Sequence, residues 1–238
     1  MTTPTNPRSN APLVSIESVA KIYHQGSISV TALKGVSLEI IPGEFTALVG
    51  PSGSGKTTLL NLIGGLDLPD AGSLAIAGRR LEKLSPAEIT RLRLRSIGFV
   101  FQAYNLIPVL SAIENVEYVM LLQGVSRVER RRRAEAMLDE VGLAGMHGRR
   151  PAELSGGQQQ RVAVARAIVS QPAIVLADEP TANLDSHTAT ELLELMRQMN
   201  ARHQATFVFA THDELVMRYA RRIIRLRDGQ IVSDETRS

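Results

Sequence analysis

Gly50-Pro51-Ser52-Gly53-Ser54-Gly55-Lys56-Thr57 decides the fold, because this spacing is that of a loop built to cradle phosphates. Its glycines let successive backbone N–H groups point inward around an anion with no Cβ in the way. Lys56 can reach the outer phosphates of a nucleotide, and the Thr57 hydroxyl is placed to ligate Mg²⁺. The flanks agree. Phe45 to Val49 reads as a buried strand entering the loop, and Thr58 to Ile63 continues as the helix that leaves it. The partial positive charge at the N-terminus of that helix faces the same anion. Gly50 through Thr58 are therefore the expected phosphate-binding residues.

Working outward, strand and helix patterns alternate. Leu13 to Tyr23, Ser29 to Lys34, Val36 to Ile41, Gly72 to Gly78 and Ile97 to Phe101 read as strands, and Ser85-Pro86 opens a helix as N-cap and first residue. From Ala103 the character changes to helical, with charge concentrated between Arg127 and Glu140. Strands return at Ala173 to Ala177 and Thr206 to Ala210. Between them lies a helix with Leu192, Leu195, Met196 and Met199 on one face, and the chain closes with a hairpin turning at Asp228-Gly229. This alternation implies a mainly parallel sheet covered on both faces. The expected division is a tail over 1–12, a single domain over 13–238 with its α/β core at 13–102 and 158–238, and a helical insertion over 103–157.

Composition bounds the function classes. The 238 residues suffice for a full core, and 44% hydrophobic with 21% charged residues is ordinary for a globular chain. Absence of cysteine excludes disulfides, thiolate metal sites and cysteine nucleophiles. No run approaches the ~18 apolar residues that span a bilayer, and the start has no apolar core of a signal peptide, so a cytoplasmic location is expected. The net charge of +3 does not ask for nucleic acid. The cluster Arg130 to Arg133 has no interleaved aromatic residue and Arg218 to Arg227 has only Tyr219; both read as solvated faces, so no nucleic-acid partner is expected.

Two further stretches carry chemistry. Ile174 to Ala177 is an apolar strand ending in Asp178-Glu179, and in a parallel sheet ligands bind at the carboxyl ends of strands. Asp178 is placed to help hold Mg²⁺, and Glu179 to polarise an attacking water. Leu154-Ser155-Gly156-Gly157-Gln158 opens a long helix. Its terminus reads either as a second anion receptor or as a plain cap on Ser155. A phosphate loop with a separate anion-binding terminus is what a site shared by two chains requires.

Together the phosphate loop, Leu154 to Gln158 and Asp178-Glu179 resemble the nucleotide-binding subunit of ATP-binding cassette transporters, from about Leu13 to Asp234. The resemblance implies a phosphate-loop (RecA-like) α/β core with an antiparallel β subdomain and an inserted α-helical subdomain. It implies ATP and Mg²⁺ as cofactors. It also implies that Tyr23 stacks on adenine, that Gln102 senses Mg²⁺ and the attacking water, that Asp185 couples two sites, and that His212 contacts the γ-phosphate. Two copies would pack head to tail, each ATP lying between Lys56 and Asp178 of one chain and Ser155, Gly156, Gly157 and Gln158 of the other. Lys56, Gln102, Glu179 and His212 would carry catalysis, and Thr57, Gln102 and Asp178 the metal.

Gly64 to Asp67, Ile97 to Gln102, Asn105 to Pro108, Glu114 to Val116 and Gln158 to Ala163 are similar to the subunits that serve lipoprotein release and macrolide-type export. Ala182 departs from that group, which usually has glycine there. The implied function is an ATPase that drives a separate integral membrane subunit from the cytoplasmic face, for lipoprotein release, efflux or force transmission. A cassette ATPase not tied to a membrane pore, acting in repair or iron–sulfur assembly, shares the same motifs. Apolar residues from Tyr104 to Leu110 are expected to form part of a groove for a helix of the membrane subunit.

Overall fold

Strand β3 (Phe45–Val49) is buried along its whole length and delivers the phosphate-loop sequence from its carboxyl end. In the computed structural model, which describes residues 11–26 and 28–237, β3 sits inside a six-stranded sheet. On one side lie β8 (Thr206–Thr211), β7 (Ile174–Asp178) and β6 (Ile97–Phe101); on the other lie β9 (Arg222–Arg227) and β10 (Gln230–Thr236). The first five of these run parallel, and β10 returns antiparallel as the second arm of the closing hairpin. A second, antiparallel sheet has the order β2 (Ile28–Ile40), β1 (Val14–Gln25), β4 (Ala71–Ile76) and β5 (Arg79–Arg80).

The two expected strands on either side of Gly35 form one strand, β2. Gly35 adopts φ +70°, a bend that glycine takes without steric cost. The register of β1 against β2 shifts at several points around it, so pairing continues through the bend. The tail expected over 1–12 lies, up to residue 10, outside the described residues.

Alternation along the central strands sorts side chains onto two faces. Phe45, Ala47, Val49, Phe207 and Phe209 point to one apolar cluster; Leu48, Leu176, Val208 and Ala210 point to the other. Between the two sheets, the second cluster buries Leu59, Leu60, Leu62 and Ile63 of α1 (Lys56–Ile63), the helix that leaves the phosphate loop. The first cluster takes in α5 (Gly156–Ile168), α6 (Ser186–His203) and α7 (Glu214–Tyr219). It also runs on into α3 (Ala112–Leu122) and α4 (Arg127–Glu140), so the helical insertion is continuous with the core and not a separate globule. The remaining helix, α2 (Pro86–Ser96), starts on a Ser85/Glu88 capping box, as the Ser-Pro signal indicates.

The first arginine cluster is neutralised locally, and the second at Arg222 and Arg225. Arg132 and Arg133 pair with Glu129, Arg131 with Glu135, and Arg222 with both Glu44 and Asp234.

Candidate nucleotide-binding site

Register places the chemistry on one edge of the parallel sheet. Val49 pairs with Thr211, while Asp178 pairs with Ala210 on one side and Phe101 on the other. The residues that follow these strand ends, Gly50, His212, Glu179 and Gln102, therefore leave the sheet side by side.

The loop after β3 closes on itself. Lys56 is buried, and its Nζ donates to the carbonyls of Gly50 and Pro51 at 2.8 and 3.0 Å. A Cβ on Gly50 would collide with the Leu226 carbonyl and stand 2.7 Å from Ser54 Oγ; one on Gly55, at φ +102°, would stand 2.7 Å from the Ala32 carbonyl. Both positions are thus closed to a side chain. Pro51, Ser52, Gly53 and Thr57 are exposed, so the loop is open on its outer side.

The residues fit a nucleotide with a divalent cation. Ser54 Oγ is buried without a hydrogen-bond partner, a donor left over inside the loop. Thr57 Oγ1 lies 3.3 Å from Asp178 Oδ1, two hard oxygen donors side by side. Among the described residues no group of three or more His, Cys, Asp or Glu side chains could hold a metal alone. A cation here would be shared with oxygens of a phosphate. Burial pushes the Asp178 carboxyl above its usual range, and the neighbouring Glu179 carboxylate pushes it the same way, so a cation at Asp178 relieves an existing electrostatic strain.

Glu179 is held at both oxygens. Thr211 Oγ1 donates to Oε2 at 2.9 Å, and His212 Nδ1 lies 2.7 Å from Oε1. Its backbone is at φ +44°, a conformation costly for a residue with a side chain and typical of functional sites. Exposed His212 thus reaches the Glu179 carboxylate in this structure. Gln102 is exposed at the end of β6, with its carbonyl receiving Asn183 Nδ2 at 3.0 Å. Tyr23, on the antiparallel sheet, is 40% exposed, open enough for a planar ring to lie on it.

At the start of α5, Ser155 Oγ accepts the Gln158 N–H at 3.3 Å, and Gln158 Oε1 accepts the Ser155 N–H at 3.0 Å, a reciprocal capping box. A Cβ on Gly156 would meet the Tyr104 hydroxyl at 2.8 Å, and one on Gly157 would collide with the Thr188 methyl. These neighbours come from the loop after β6 and from the start of α6, not from the phosphate loop. Asp185 caps α6, accepting from the N–H groups of His187 and Thr188 and from the Thr188 hydroxyl.

Sequence reasoning missed the residues that tie these loops together. Gln160, fully buried, donates from Nε2 to Pro180 O at 2.7 Å and to Phe101 O. Arg166 donates to the carbonyls of Tyr104 and Asn105, both at positive φ, and burial lowers its pKa. Thr181 donates to Asp213 at 2.8 Å. A signal existed for Gln160: it falls three and seven residues before Ala163 and Ala167, on the buried face of α5.

This is a phosphate-loop nucleoside-triphosphatase fold, with Gly50, Gln102, Glu179 and His212 together at one strand-end edge. A family model described as ABC transporter matches residues 33–182. An uncharacterized ABC transporter ATP-binding protein of Thermotoga maritima is 46% identical, over 94% of this chain and 96% of its own. The macrolide export ATP-binding/permease protein MacB of Sodalis glossinidius is 49% identical over 94% of this chain and 34% of its own length, so the chain spans about a third of that relative. Two solved structures of the bacterial ABC transporter cassette MJ0796 are dimeric, one of them in a post-hydrolysis state bound to ADP and Pi. Each superposes with a TM-score of 0.86 at 44% identity, covering 94% of this chain and 98% of that one. The chain belongs to the ABC transporter family. Its part there is the ATP-binding cassette, the ATPase component. Among the described residues no helix is long and apolar enough to cross a membrane.

The capping box gives Ser155 a structural role that is separable from ligand binding. Ser155→Ala and Gln158→Ala should each destabilise the nucleotide-free protein by about 1 kcal/mol, and the double variant by less than their sum, because each side chain accepts from the other residue's backbone N–H and the two bonds hold the same turn. Urea unfolding of the three variants checks this.

Proposed function

We propose that this chain hydrolyses ATP as a head-to-tail homodimer and thereby drives a separate membrane subunit from the cytoplasmic face. The observation that carries the reading is the coexistence in one chain of an open phosphate loop and an exposed Ser155 terminus whose neighbours come from other loops. Each surface is half of a site, and two copies supply both halves. In this reading Lys56 and the N–H groups from Gly50 to Thr58 hold the phosphates, Tyr23 stacks on the base, and Ser155 to Gln158 of the second copy closes over the γ-phosphate. Asp185 lies at the seam between the two sites.

Thr57, Asp178 and Gln102 would hold Mg²⁺, which when bound neutralises charge on the phosphate oxygens. Glu179 accepts a proton from water as the water oxygen attacks the γ-phosphorus, and the bond to the bridging oxygen of ADP breaks. Thr211 keeps the Glu179 carboxylate oriented. For His212 to reach the γ-phosphate, as the family resemblance implies, its imidazole leaves the Glu179 carboxylate. That exchange frees Oε1 for the water proton.

The insertion over 103–157 is read as the part that meets the membrane subunit. A groove of ≈210 Å³ lies between β6, α3 and α5, lined by Phe99, Phe101, Asn105, Val119 and Arg166. Tyr118, Leu121 and Leu122 expose apolar surface on α3, and Val109 is 74% exposed just before it. Similarity to macrolide export proteins, whose name joins an ATP-binding part to a permease, supports export; the motif resemblance adds lipoprotein release and force transmission.

Purified Glu179→Gln protein is expected to bind ATP, to lose turnover by at least about a hundredfold, and to accumulate as an ATP-bound dimer in light scattering. Lys56→Ala is expected to lose nucleotide binding. Turnover near wild type in Glu179→Gln would remove Glu179 as the base. For the partner, a photoreactive label on a single cysteine at position 104 or 106, introduced into this cysteine-free chain, is expected to capture an integral membrane protein in cells. Capture confined to soluble proteins would instead favour a cassette acting in repair or iron–sulfur assembly.

A further inference from the structure

The hydroxyl of Tyr23 enters a polar network that the phosphate chemistry does not require. Its O–H donates to Asp67 Oδ2 at 3.0 Å. Asp67 is itself fixed. Its Oδ1 accepts Lys21 Nζ at 2.8 Å and the Leu68 N–H at 2.7 Å, which leaves Oδ2 for the phenol.

Lys21 is only 8% exposed. It is fully supplied without the tyrosine: it also donates to the Leu68 carbonyl at 2.8 Å and faces Asp70 at 3.5 Å. Asp70 in turn accepts the Ile22 N–H. The Lys21 ammonium lies 5.3 Å from the Tyr23 ring centroid, so the ring packs beside a buried charge. The Lys21 hydrogen bond lowers the pKa of Asp67 against the opposing cost of burial, so this carboxylate stays ionised and accepts.

Asp67 stands four residues beyond the end of α1. The ring is therefore tied through its hydroxyl to the segment that follows the helix leaving the phosphate loop. A half-exposed tyrosine left to itself samples several rotamers, and ordering it on binding subtracts from affinity.

We infer that Asp67, held by Lys21, is a positioning residue that fixes the Tyr23 ring at a set distance and angle from the phosphate loop. It thereby contributes affinity for the base of the nucleotide and none for its phosphates. The inference rests on Tyr23 being the base-stacking ring.

The test compares two probes with the same phosphate chemistry, MgATP and Mg-tripolyphosphate, by calorimetric titration of the full chain. Tyr23→Phe, which deletes only the hydroxyl, and Asp67→Asn should each raise the Kd for ATP about three- to tenfold, the cost of ordering one side chain on binding. Both should leave tripolyphosphate unchanged, and the double variant should be no worse than either single one. An equal loss for both probes would mean that the network merely stabilises the fold and would overturn the inference, as would an unchanged Kd for ATP. If Asp67→Asn fails to fold, Tyr23→Phe decides alone. Tyr23→Ala separates the two levels. If it weakens both probes alike, the base-stacking reading itself fails. If it weakens ATP alone while Tyr23→Phe and Asp67→Asn do not, only the positioning role falls.

Discussion

The carboxyl end of β3 leaves no space for a side chain, and the site is built outward from that constraint. At Gly50 the backbone passes under the Leu226 carbonyl and beside Ser54, and at Gly55 it passes beside the Ala32 carbonyl. The chain can turn there only as bare backbone, which is the condition for its N–H groups to converge on an anion. Lys56 folds back on the carbonyls of Gly50 and Pro51 and so ties the two ends of the loop together. Because α1 begins inside this turn and buries four apolar side chains between the two sheets, the loop is anchored by the hydrophobic core itself.

Parallel register does the rest. Four strands end at one edge, and the first residue beyond each is one with chemistry: Gly50, Gln102, Glu179 and His212. Their loops are cross-tied by side chains that touch no phosphate. Gln160 joins the ends of β6 and β7, Asn183 joins the Glu179 loop to Gln102, and Thr181 joins it to Asp213. Gln160 and Arg166 sit on α5, the helix that starts at Ser155. These ties place the loop ends and the helix terminus proposed to serve the second copy on one connected set of hydrogen bonds.

Much of this was legible in the chain. The phosphate loop, the Asp178-Glu179 strand end and the Ser155 terminus announce themselves through local spacing, because their chemistry is set by backbone geometry over a few consecutive residues. Strand and helix order followed from apolar periodicity. The single strand β2 did not, since Gly35 looks like a break until β1 pairs across it. Nor did the cross-ties, which join residues far apart in sequence: Tyr23 to Asp67, Gln160 to Phe101, Thr211 to Glu179. A lone polar residue on a helix or strand carries no mark of the distant carbonyl or carboxylate it will meet. His212 was expected at a γ-phosphate, and the structure places its ring on the neighbouring carboxylate.

In the proposed head-to-tail dimer each functional site is assembled from two copies of this chain. Mixing Lys56→Ala protein with Ser155→Arg protein tests it most directly, because the mixed dimer has one site with both defects and one with neither. Each variant alone is expected to fail to dimerise with ATP, while the mixture forms an ATP-dependent heterodimer that hydrolyses ATP at a single site. A mixture that stays monomeric and inactive under conditions where the wild-type protein dimerises would contradict it.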